Sequence, residues 1–271
     1  MTNVDITTCK DILFNVGTQL WQKYGELPTA QDRTELAQRI HEANQWAASS
    51  IRTALESVYP TIHWSFSELE LSKQQRAEFD DEYWVCDPVD GAVHLHQGFA
   101  FWSMSLCLIR NGEPVLSMIY DPSRQEFFHA VAGQGAYLQG RRIQVSSKIK
   151  GYDAMIATAP PSAADQDLEN TQRTASSLAR LMPQVGATRM LGSVALQLAY
   201  VACGRLDGYW EFGSEFYDWV SGALLIREAG GVVSDMYGNA FTWGATGIIA
   251  GSPGIHDMLT TEIKSASQNQ V

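Results

Sequence analysis

The chain has 271 residues, of which 45% are hydrophobic and 18% are charged, a composition that supports one large globular domain or two closely packed halves and excludes a disordered chain. Nineteen Lys and Arg residues against thirty Asp and Glu residues give a formal net charge of −11. This sign argues against a nucleic-acid polymer as partner but leaves a metal-dependent phosphate site open, because bound cations invert the local charge.

Two helices are predicted at the start of the chain, over residues 8–25 and 33–57. Apolar residues recur there at helical spacing, namely Ile12, Leu13, Val16, Leu20, Leu36, Ile40, Trp46, Ile51 and Leu55. The pair Tyr59-Pro60 ends the second helix, because the residue before a proline is pushed out of the α region.

Strands are predicted between residues 61 and 145, where turn signals such as Asn111-Gly112 separate short apolar runs. These strands cover residues 83–86, 100–109, 115–120, 126–130, 136–138 and 143–145. We expect them to form a meandering antiparallel sheet.

Strands and helices alternate after Gly151, which is typical of an α/β arrangement. Strands are predicted at 154–158, 187–190, 206–211, 232–234 and 247–250, and helices at 164–181, 193–202 and 216–228. With no flexible linker between the halves, we expect units at 1–150 and 151–271 that share one interface.

The sequence predicts neither a membrane partner nor an exported protein. No apolar run reaches the roughly eighteen residues of a membrane span, and the first ten residues lack a basic segment followed by an apolar one. The four cysteines are far apart and show no metal-binding spacing: Cys9, Cys86, Cys107 and Cys203. We therefore expect free, buried thiols and a cytoplasmic location.

The densest group of candidate residues follows the predicted strand at 83–86, where the sequence reads Asp87-Pro88-Val89-Asp90-Gly91. Pro88 and Gly91 favour a sharp exit from the strand, which can turn both carboxylates towards one point. Two convergent carboxylates suit a hard cation such as Mg²⁺ or Ca²⁺. The alternative is an Asx-type turn with both carboxylates in solvent, and so short a motif by itself favours that alternative.

Two further acidic positions are candidates only in combination. Asp218 lies in the first turn of the predicted helix 216–228, where the helix dipole alone would favour a carboxylate. Glu68 precedes the strands and has no distinguishing feature of its own. Residues 160–169 either border a substrate pocket or form a solvated connecting loop.

Together these segments resemble the inositol monophosphatase family, the Mg²⁺-dependent, lithium-sensitive phosphatase superfamily. The run Trp84-Val85-Cys86-Asp87-Pro88-Val89-Asp90-Gly91 is similar to the family's WxxDPxDG. The run Tyr217-Asp218-Trp219, leading to Glu228-Ala229-Gly230-Gly231, is similar to its WDxAAG…EAGG. The resemblance implies a mixed α+β or α/β fold, a layered α/β/α/β sandwich of the inositol monophosphatase/fructose-1,6-bisphosphatase type, and a homodimer.

The resemblance also implies a site and an activity. The catalytic metal ligands would be Glu68, Asp87, Asp90 and Asp218, with the backbone carbonyl of Val89, all holding Mg²⁺. The substrate-binding residues would be Gly91 and Ala92, through their N–H groups on the phosphate, and Gly192, Ser193 and Glu211 on the alcohol. The implied reaction is hydrolysis of a small phosphorylated metabolite, a polyol, sugar or nucleotide phosphate, by a water activated by Mg²⁺.

The sequence departs from the family where that water is activated. Ala92 replaces the motif threonine, and Asn44 stands at the position counted for its partner aspartate. Loss of a general base costs about 10²–10⁴ in rate. His94 or His96 could supply a replacement base. The family's Gly-Glu-Glu reads Ser67-Glu68-Leu69 here, and Glu70 could replace the second glutamate of that motif.

Two functions therefore stay open. The first is a Mg²⁺-dependent phosphomonoesterase, which Mg²⁺-dependent phosphate release would support. The second is a catalytically degenerate homologue that acts as a regulatory or binding protein, for which activity should appear only on restoring Thr and Asp at positions 92 and 44.

Overall fold

The computed structural model describes residues 2–25 and 27–268. Within them lie seven α-helices: α1 Ile6–Leu20, α2 Arg33–Val58, α3 Ala92–His96, α4 Leu168–Leu181, α5 Val194–Ala202, α6 Phe216–Glu228 and α7 Pro253–Gln268. The strands are β1 His63–Trp64, β2 Glu82–Asp90, β3 Ser103–Arg110, β4 Glu113–Asp121, β5 Glu126–Val131, β6 Gly135–Leu138, β7 Arg141–Arg142, β8 Met155–Thr158, β9 Ala187–Met190, β10 Gly208–Phe212, β11 Val232–Ser234 and β12 Gly247–Gly251.

The two N-terminal helices begin and end at signals that the sequence carries. Asp5 caps α1 by accepting hydrogen bonds from the N–H groups of Thr7 and Thr8, and Asp32 caps α2 in the same way. A π-helical segment, Trp21–Gly25, continues α1, and α2 ends before the predicted Tyr59-Pro60 pair.

The first sheet has the strand order β1-β2-β3-β4-β5-β6-β7, and every pairing except the parallel β1–β2 pair is antiparallel. The predicted meander is thus confirmed. Along β2, Tyr83 and Val85 face one core and Trp84 and Cys86 face another. Because the sheet is covered on both faces, its central strands are apolar on both sides.

Two strand predictions for this sheet are wrong in extent. β2 continues through Asp90, with a shift in its register against β3 between Asp87 and Asp90. Residues 143–145 are not a strand. The N–H of Ile143 still donates to the carbonyl of Ala136 in β6, but the N–H of Val145 donates to the carbonyl of Ala229, just past α6.

The second sheet has the order β11-β12-β10-β8-β9 and is mixed. β8 pairs in parallel with both β9 and β10, whereas β12 is antiparallel to β10 and β11. The predicted bounds 187–190, 216–228 and 232–234 are confirmed. The helix predicted from residue 164 begins instead at Leu168, because the Asp167 side chain caps it by accepting from the N–H of Asn170.

The elements stack in five layers around three apolar cores. α1 and α2 cover one face of the first sheet, α5 and α6 lie between the two sheets, and α4 and α7 cover the outer face of the second sheet. The predicted layered mixture of helices and sheets is confirmed, with an outer helical layer added. The core around α5 and α6 contains residues from both halves of the chain.

The fold bears on the predictions for membrane segments and cysteines. None of the helices within residues 2–25 and 27–268 is long and apolar enough to span a membrane. All four cysteines are free, and all but Cys203 are fully buried.

Gly222 marks the closest approach of α5 and α6. A Cβ atom at this position would lie 2.3 Å from Cβ of Leu198 and 2.6 Å from its Cδ1. We expect Gly222→Ala to lower the free energy of unfolding by about 1–3 kcal/mol, because the central helices must separate to admit one methyl group. Urea denaturation would measure this, and an unchanged midpoint would contradict the tight contact.

Candidate active site

A pocket of about 700 Å³ opens where the two sheets and the central helices meet. Its walls come from α2, the end of β2, α3, the segments that follow β8 and β9, β10, and the first turn of α6. β8, β9 and β10 are parallel, so their carboxyl ends open at the same edge of the second sheet. Ligand sites form at such edges.

Acidic groups dominate the inner part of this pocket. Six carboxylates line it: Glu68, Asp87, Asp90, Glu211, Glu215 and Asp218. Neither Lys nor Arg is among the described residues of its lining. Buried carboxylates without positive partners favour either protonation or a bound cation.

Asp87 forms the Asx-type turn that the motif could indicate, and it is also buried at the pocket. Its Oδ1 accepts a hydrogen bond of 3.0 Å from the N–H of Val89, which is an Asx-type turn. The carboxyl group is nevertheless buried, since Asp87 and Asp90 are each only 5% exposed. The alternative of two solvated carboxylates is therefore wrong.

Asp90 is fixed by the N-terminus of α5. Its carboxylate accepts from the N–H groups of Val194 at 3.0 Å and Ala195 at 2.7 Å, and from the hydroxyl of Ser193 at 2.5 Å. Burial raises the pKa of Asp90, and these hydrogen bonds oppose the rise. The network ties the end of β2 to the helix between the sheets.

Glu68 and Asp218 both line the pocket, and among the described residues no hydrogen bond to either carboxylate is found. Burial raises the pKa of Glu68 to about 7, and the charge of Asp90 adds to the rise. Burial likewise raises the pKa of Asp218 well above its usual range, with further contributions from Asp87 and Asp90. Both groups are short of positive partners.

The donor set fits a hard divalent cation in its chemistry. Carboxylate oxygens of Glu68, Asp87, Asp90 and Asp218, with Val89 beside them in the lining, are the ligand type that Mg²⁺ and Ca²⁺ prefer. In residues 2–25 and 27–268, no group of three His, Cys, Asp or Glu side chains is already arranged to hold a metal ion. Mg²⁺ is commonly held by one or two carboxylates, with water and substrate oxygens as its other ligands.

Glu211 lies deeper and has hydrogen-bond partners. Its Oε2 accepts from the Tyr209 hydroxyl at 2.7 Å and from Nε1 of Trp219 at 2.6 Å. Burial, followed by the charge of Glu215, raises the pKa of Glu211 to about 8. Because both donors use one oxygen, the second oxygen of Glu211 is left for a ligand.

Three of the four remaining substrate-binding candidates line the pocket: Gly91, Ala92 and Gly192. Gly91 has a φ of 81° and begins α3, a conformation that favours glycine. Ser193 is not in the lining; it is fully buried and its hydroxyl caps α5 and binds Asp90. Its hydroxyl therefore positions Asp90.

The two departures from the family motif meet in this pocket. Asn44, on α2, lines it together with Ala92, and the buried Oδ1 atom of Asn44 has no hydrogen-bond partner among the described residues. The position that the sequence assigned to Asn44 by counting is thus consistent with the fold. Neither side chain can accept a proton from water.

Of the three suggested replacements, one lies in the pocket. His94 lines it, packed against Gly192, where a Cβ atom would overlap the imidazole ring. His96 instead lies in the core against Tyr24, with ring centroids 5.6 Å apart. Glu70 does not enter the pocket, because it is exposed and paired with Lys73.

Sequence reasoning missed several lining residues. Glu215, three residues before Asp218, precedes α6 as an acidic N-cap, and this position was its only signal. Met190 and Ile40 lie on elements that were predicted correctly, but no local sequence pattern shows that both line the same pocket. Within residues 160–169, only 160–162 border the pocket.

The buried acids predict an unusual dependence of stability on pH. The pKa values of Glu68 and Glu211 are raised by burial to about 7 and about 8, so their contribution to stability is complete below about pH 4.5 and is lost as the pH rises through 7–8. In EDTA we expect a loss of about 2–3 kcal/mol for Glu211 alone between pH 5.5 and 8.

Thermal unfolding at the two pH values would measure this loss. Glu211→Gln should flatten the dependence, because it removes the ionisation, and added Mg²⁺ should restore stability mainly at pH 8. Equal melting temperatures of the unchanged protein at both pH values would contradict the buried acidic cluster.

Comparison with known proteins points in one direction. The model of the inositol monophosphatase family matches residues 2–269. The chain is 35% identical over 225 residues to Nus factor SuhB of Pseudomonas aeruginosa, covering 83% of this chain and 82% of that protein. It is 32% identical over 253 residues to an inositol-1-monophosphatase of Rhizobium meliloti, covering 93% of each.

A solved structure agrees with these relatives. The crystal structure of the extragenic suppressor protein suhB from Bartonella henselae matches with a TM-score of 0.79 and 30% identity, covering 96% of this chain and 98% of that one. The proteins similar to this chain thus carry two kinds of name, one for a phosphatase and one for a Nus factor.

Proposed function

Because the chain belongs to the inositol monophosphatase family, we propose that it is a Mg²⁺-dependent phosphomonoesterase that hydrolyses a small polyol, sugar or nucleotide phosphate. One observation carries the proposal: the four acids that match the family's metal ligands, Glu68, Asp87, Asp90 and Asp218, line a single pocket, and no Lys or Arg is among the described residues of its lining. A phosphate dianion enters such a pocket only together with cations.

Different residues of the chain would bind the metal and the phosphate. Glu68, Asp87, Asp90, Asp218 and the carbonyl of Val89 would hold Mg²⁺. When bound, Mg²⁺ supplies Lewis acidity, which neutralises phosphate charge and lowers the pKa of water. The N–H groups of Gly91 and Ala92, at the start of α3, donate to the phosphate.

The alcohol side of the ester would meet Glu211 and Gly192. The oxygen of Glu211 that Tyr209 and Trp219 leave free accepts a hydrogen bond from a substrate hydroxyl. Gly192 has no Cβ atom and so leaves space for the His94 ring. Ser193 holds Asp90 in place through a hydrogen bond.

His94 is the proposed proton acceptor for the attacking water. It is the histidine in the described lining of the pocket. Burial lowers its pKa from the ordinary 6.5, so the imidazole is unprotonated at neutral pH and can accept a proton. Ala92 and Asn44, which line the same pocket, provide no base.

The test is phosphate release by the purified protein, with and without Mg²⁺, over a panel of inositol, sugar and nucleotide phosphates. Mg²⁺-dependent turnover that disappears in Asp87→Asn would support the proposal. Absence of turnover over the whole panel, in protein shown to be folded by circular dichroism, would refute it.

The second candidate is a catalytically degenerate homologue with a regulatory or binding role. It is favoured by a specific observation, that Ala92 and Asn44 lie together in the pocket and leave the water without its usual partners. Relatives named Nus factor SuhB are compatible with such a role. Binding of Mg²⁺ and phosphate without turnover would support it. The homodimer and the cytoplasmic location stay predictions.

A further inference from the structure

The mouth of the acidic pocket is lined by exposed apolar side chains. Leu69 is 69% exposed, Val93 51%, Met190 48% and Leu71 42%. They come from three separate parts of the chain, before β2, on α3 and at the end of β9, and the fold brings them to one opening. Convergence of large apolar side chains around a concave opening marks a ligand site.

The rest of the outer wall is apolar as well. Ile40 of α2, the pair Pro160-Pro161 after β8, and Leu191 complete it. Apart from the acids, the described lining has few polar side chains, namely Asn44, Ser162 and His94. A polyol carries a hydroxyl on almost every carbon, and an apolar wall offers those hydroxyls few hydrogen-bond partners, whereas it gains free energy by covering an apolar group.

The pocket also has room beyond the phosphate. Its volume of about 700 Å³ lies in the range that encloses a drug-sized ligand. The acids occupy the inner end, so phosphate and cations belong there. The organic part of a phosphate ester then extends outward along the apolar wall, where Met190 and the proline pair offer surfaces suited to a flat ring.

We propose that the substrate is a phosphomonoester of an alcohol that carries an aromatic ring, and that Leu69, Val93 and Met190 bind this ring. The inference rests on the proposed phosphatase function and narrows its substrate class, away from cyclitol and open-chain polyol phosphates. Glu211 remains available for one hydroxyl of the same alcohol.

The test uses phosphonates, which resist hydrolysis, so binding is measured by calorimetry without turnover. The probes are methylphosphonate, 2,3-dihydroxypropylphosphonate and benzylphosphonate, each with saturating Mg²⁺. We expect benzylphosphonate to bind at least about tenfold more tightly than the other two, because its ring removes apolar wall from water.

Variants of the apolar side chains test whether they cause the tighter binding of benzylphosphonate. Leu69→Ser and Met190→Ser should each weaken benzylphosphonate binding by about three- to tenfold and leave methylphosphonate binding unchanged. Leu168→Ser is the matched control, because Leu168 is 70% exposed on α4 and does not line the pocket. It should change neither affinity.

The outcomes separate the two proposals. If methylphosphonate binds in a Mg²⁺-dependent way and the ring adds nothing, or if the dihydroxypropyl probe binds best, the aromatic substrate is refuted while the phosphatase site stands. If no phosphonate binds, both fail. Equal weakening of all probes by Leu69→Ser would show that the apolar mouth serves folding and would overturn the inference. Loss of self-association in this variant would show that the mouth is an interface between copies, and would overturn it as well.

Discussion

The double variant Asn44→Asp, Ala92→Thr is expected to raise kcat for Mg²⁺-dependent phosphate release by about 10²–10⁴. Asn44 and Ala92 line the same pocket, and the unpartnered Oδ1 atom of Asn44 shows that no neighbouring group competes for an oxygen there. The variant would place a hydroxyl and a carboxylate in the lining of one pocket, where together they can orient water and accept its proton. Steady-state kinetics at saturating Mg²⁺ would measure the gain.

Two comparisons make this result specific. Each single variant should give much less than the pair, because the hydroxyl and the carboxylate act as one unit. Val93→Thr adds a hydroxyl one residue further along α3, on a half-exposed side chain, and should give no gain.

His94→Gln tests the remaining base. It should reduce the activity of the unchanged protein and have a smaller effect in the double variant, which has its own proton acceptor. Turnover in the unchanged protein that neither the double variant improves nor His94→Gln reduces would refute both assignments.

Glu68→Gln is expected to lower kcat/KM by at least about 10² and to abolish stabilisation by Mg²⁺. Glu68 faces the pocket with no hydrogen-bond donor among the described residues, and its pKa is raised to about 7 by burial and by Asp90. The amide removes a negative ligand while it relieves repulsion, so the metal-free variant should be at least as stable as the unchanged protein. Activity assays and thermal unfolding with and without Mg²⁺ would measure both effects.

Glu70→Gln is the matched control. Glu70 lies two residues further on, is exposed, and pairs with Lys73 at 2.8 Å. Loss of a surface ion pair changes stability by less than about 1 kcal/mol, and it should leave kcat/KM unchanged. If Glu68→Gln behaved like Glu70→Gln, Glu68 would not be a ligand.

Asp90 would make a less informative variant, for a structural reason. Its carboxylate accepts hydrogen bonds from two N–H groups of α5 and from Ser193. An amide at this position turns one acceptor into a donor that faces donors. Loss of activity in Asp90→Asn would therefore mix a lost ligand with a displaced helix.

Local patterns were sufficient where an element is defined by its own residues. The bounds of α6 follow from its own apolar residues, most of which are buried between the two sheets. α7 carried such a signal too, with Ile255, Leu259 and Ile263 at four-residue spacing after Pro253, and it was not predicted.

Long-range contacts decided the rest. Residues 143–145 have the alternating pattern of a strand, yet only Ile143 hydrogen-bonds to β6, and Val145 hydrogen-bonds instead to Ala229 after α6. Ser193 resembled a substrate contact, but the docking of α5 against β2 gives its hydroxyl to Asp90.

The sequence by itself determined the family of this protein. It also indicated the candidate metal ligands Glu68, Asp87, Asp90 and Asp218 and the departures from the family motif at positions 44 and 92. Short motifs carry this information because each candidate ligand is identified by the type of its side chain. Only the tertiary structure decided which residues meet, namely that His94 and not His96 faces the pocket, that Glu70 stays outside, and that an apolar mouth surrounds an acidic interior. Those contacts join residues far apart in the chain, whose separation is set by packing of sheets and helices and not by local pattern.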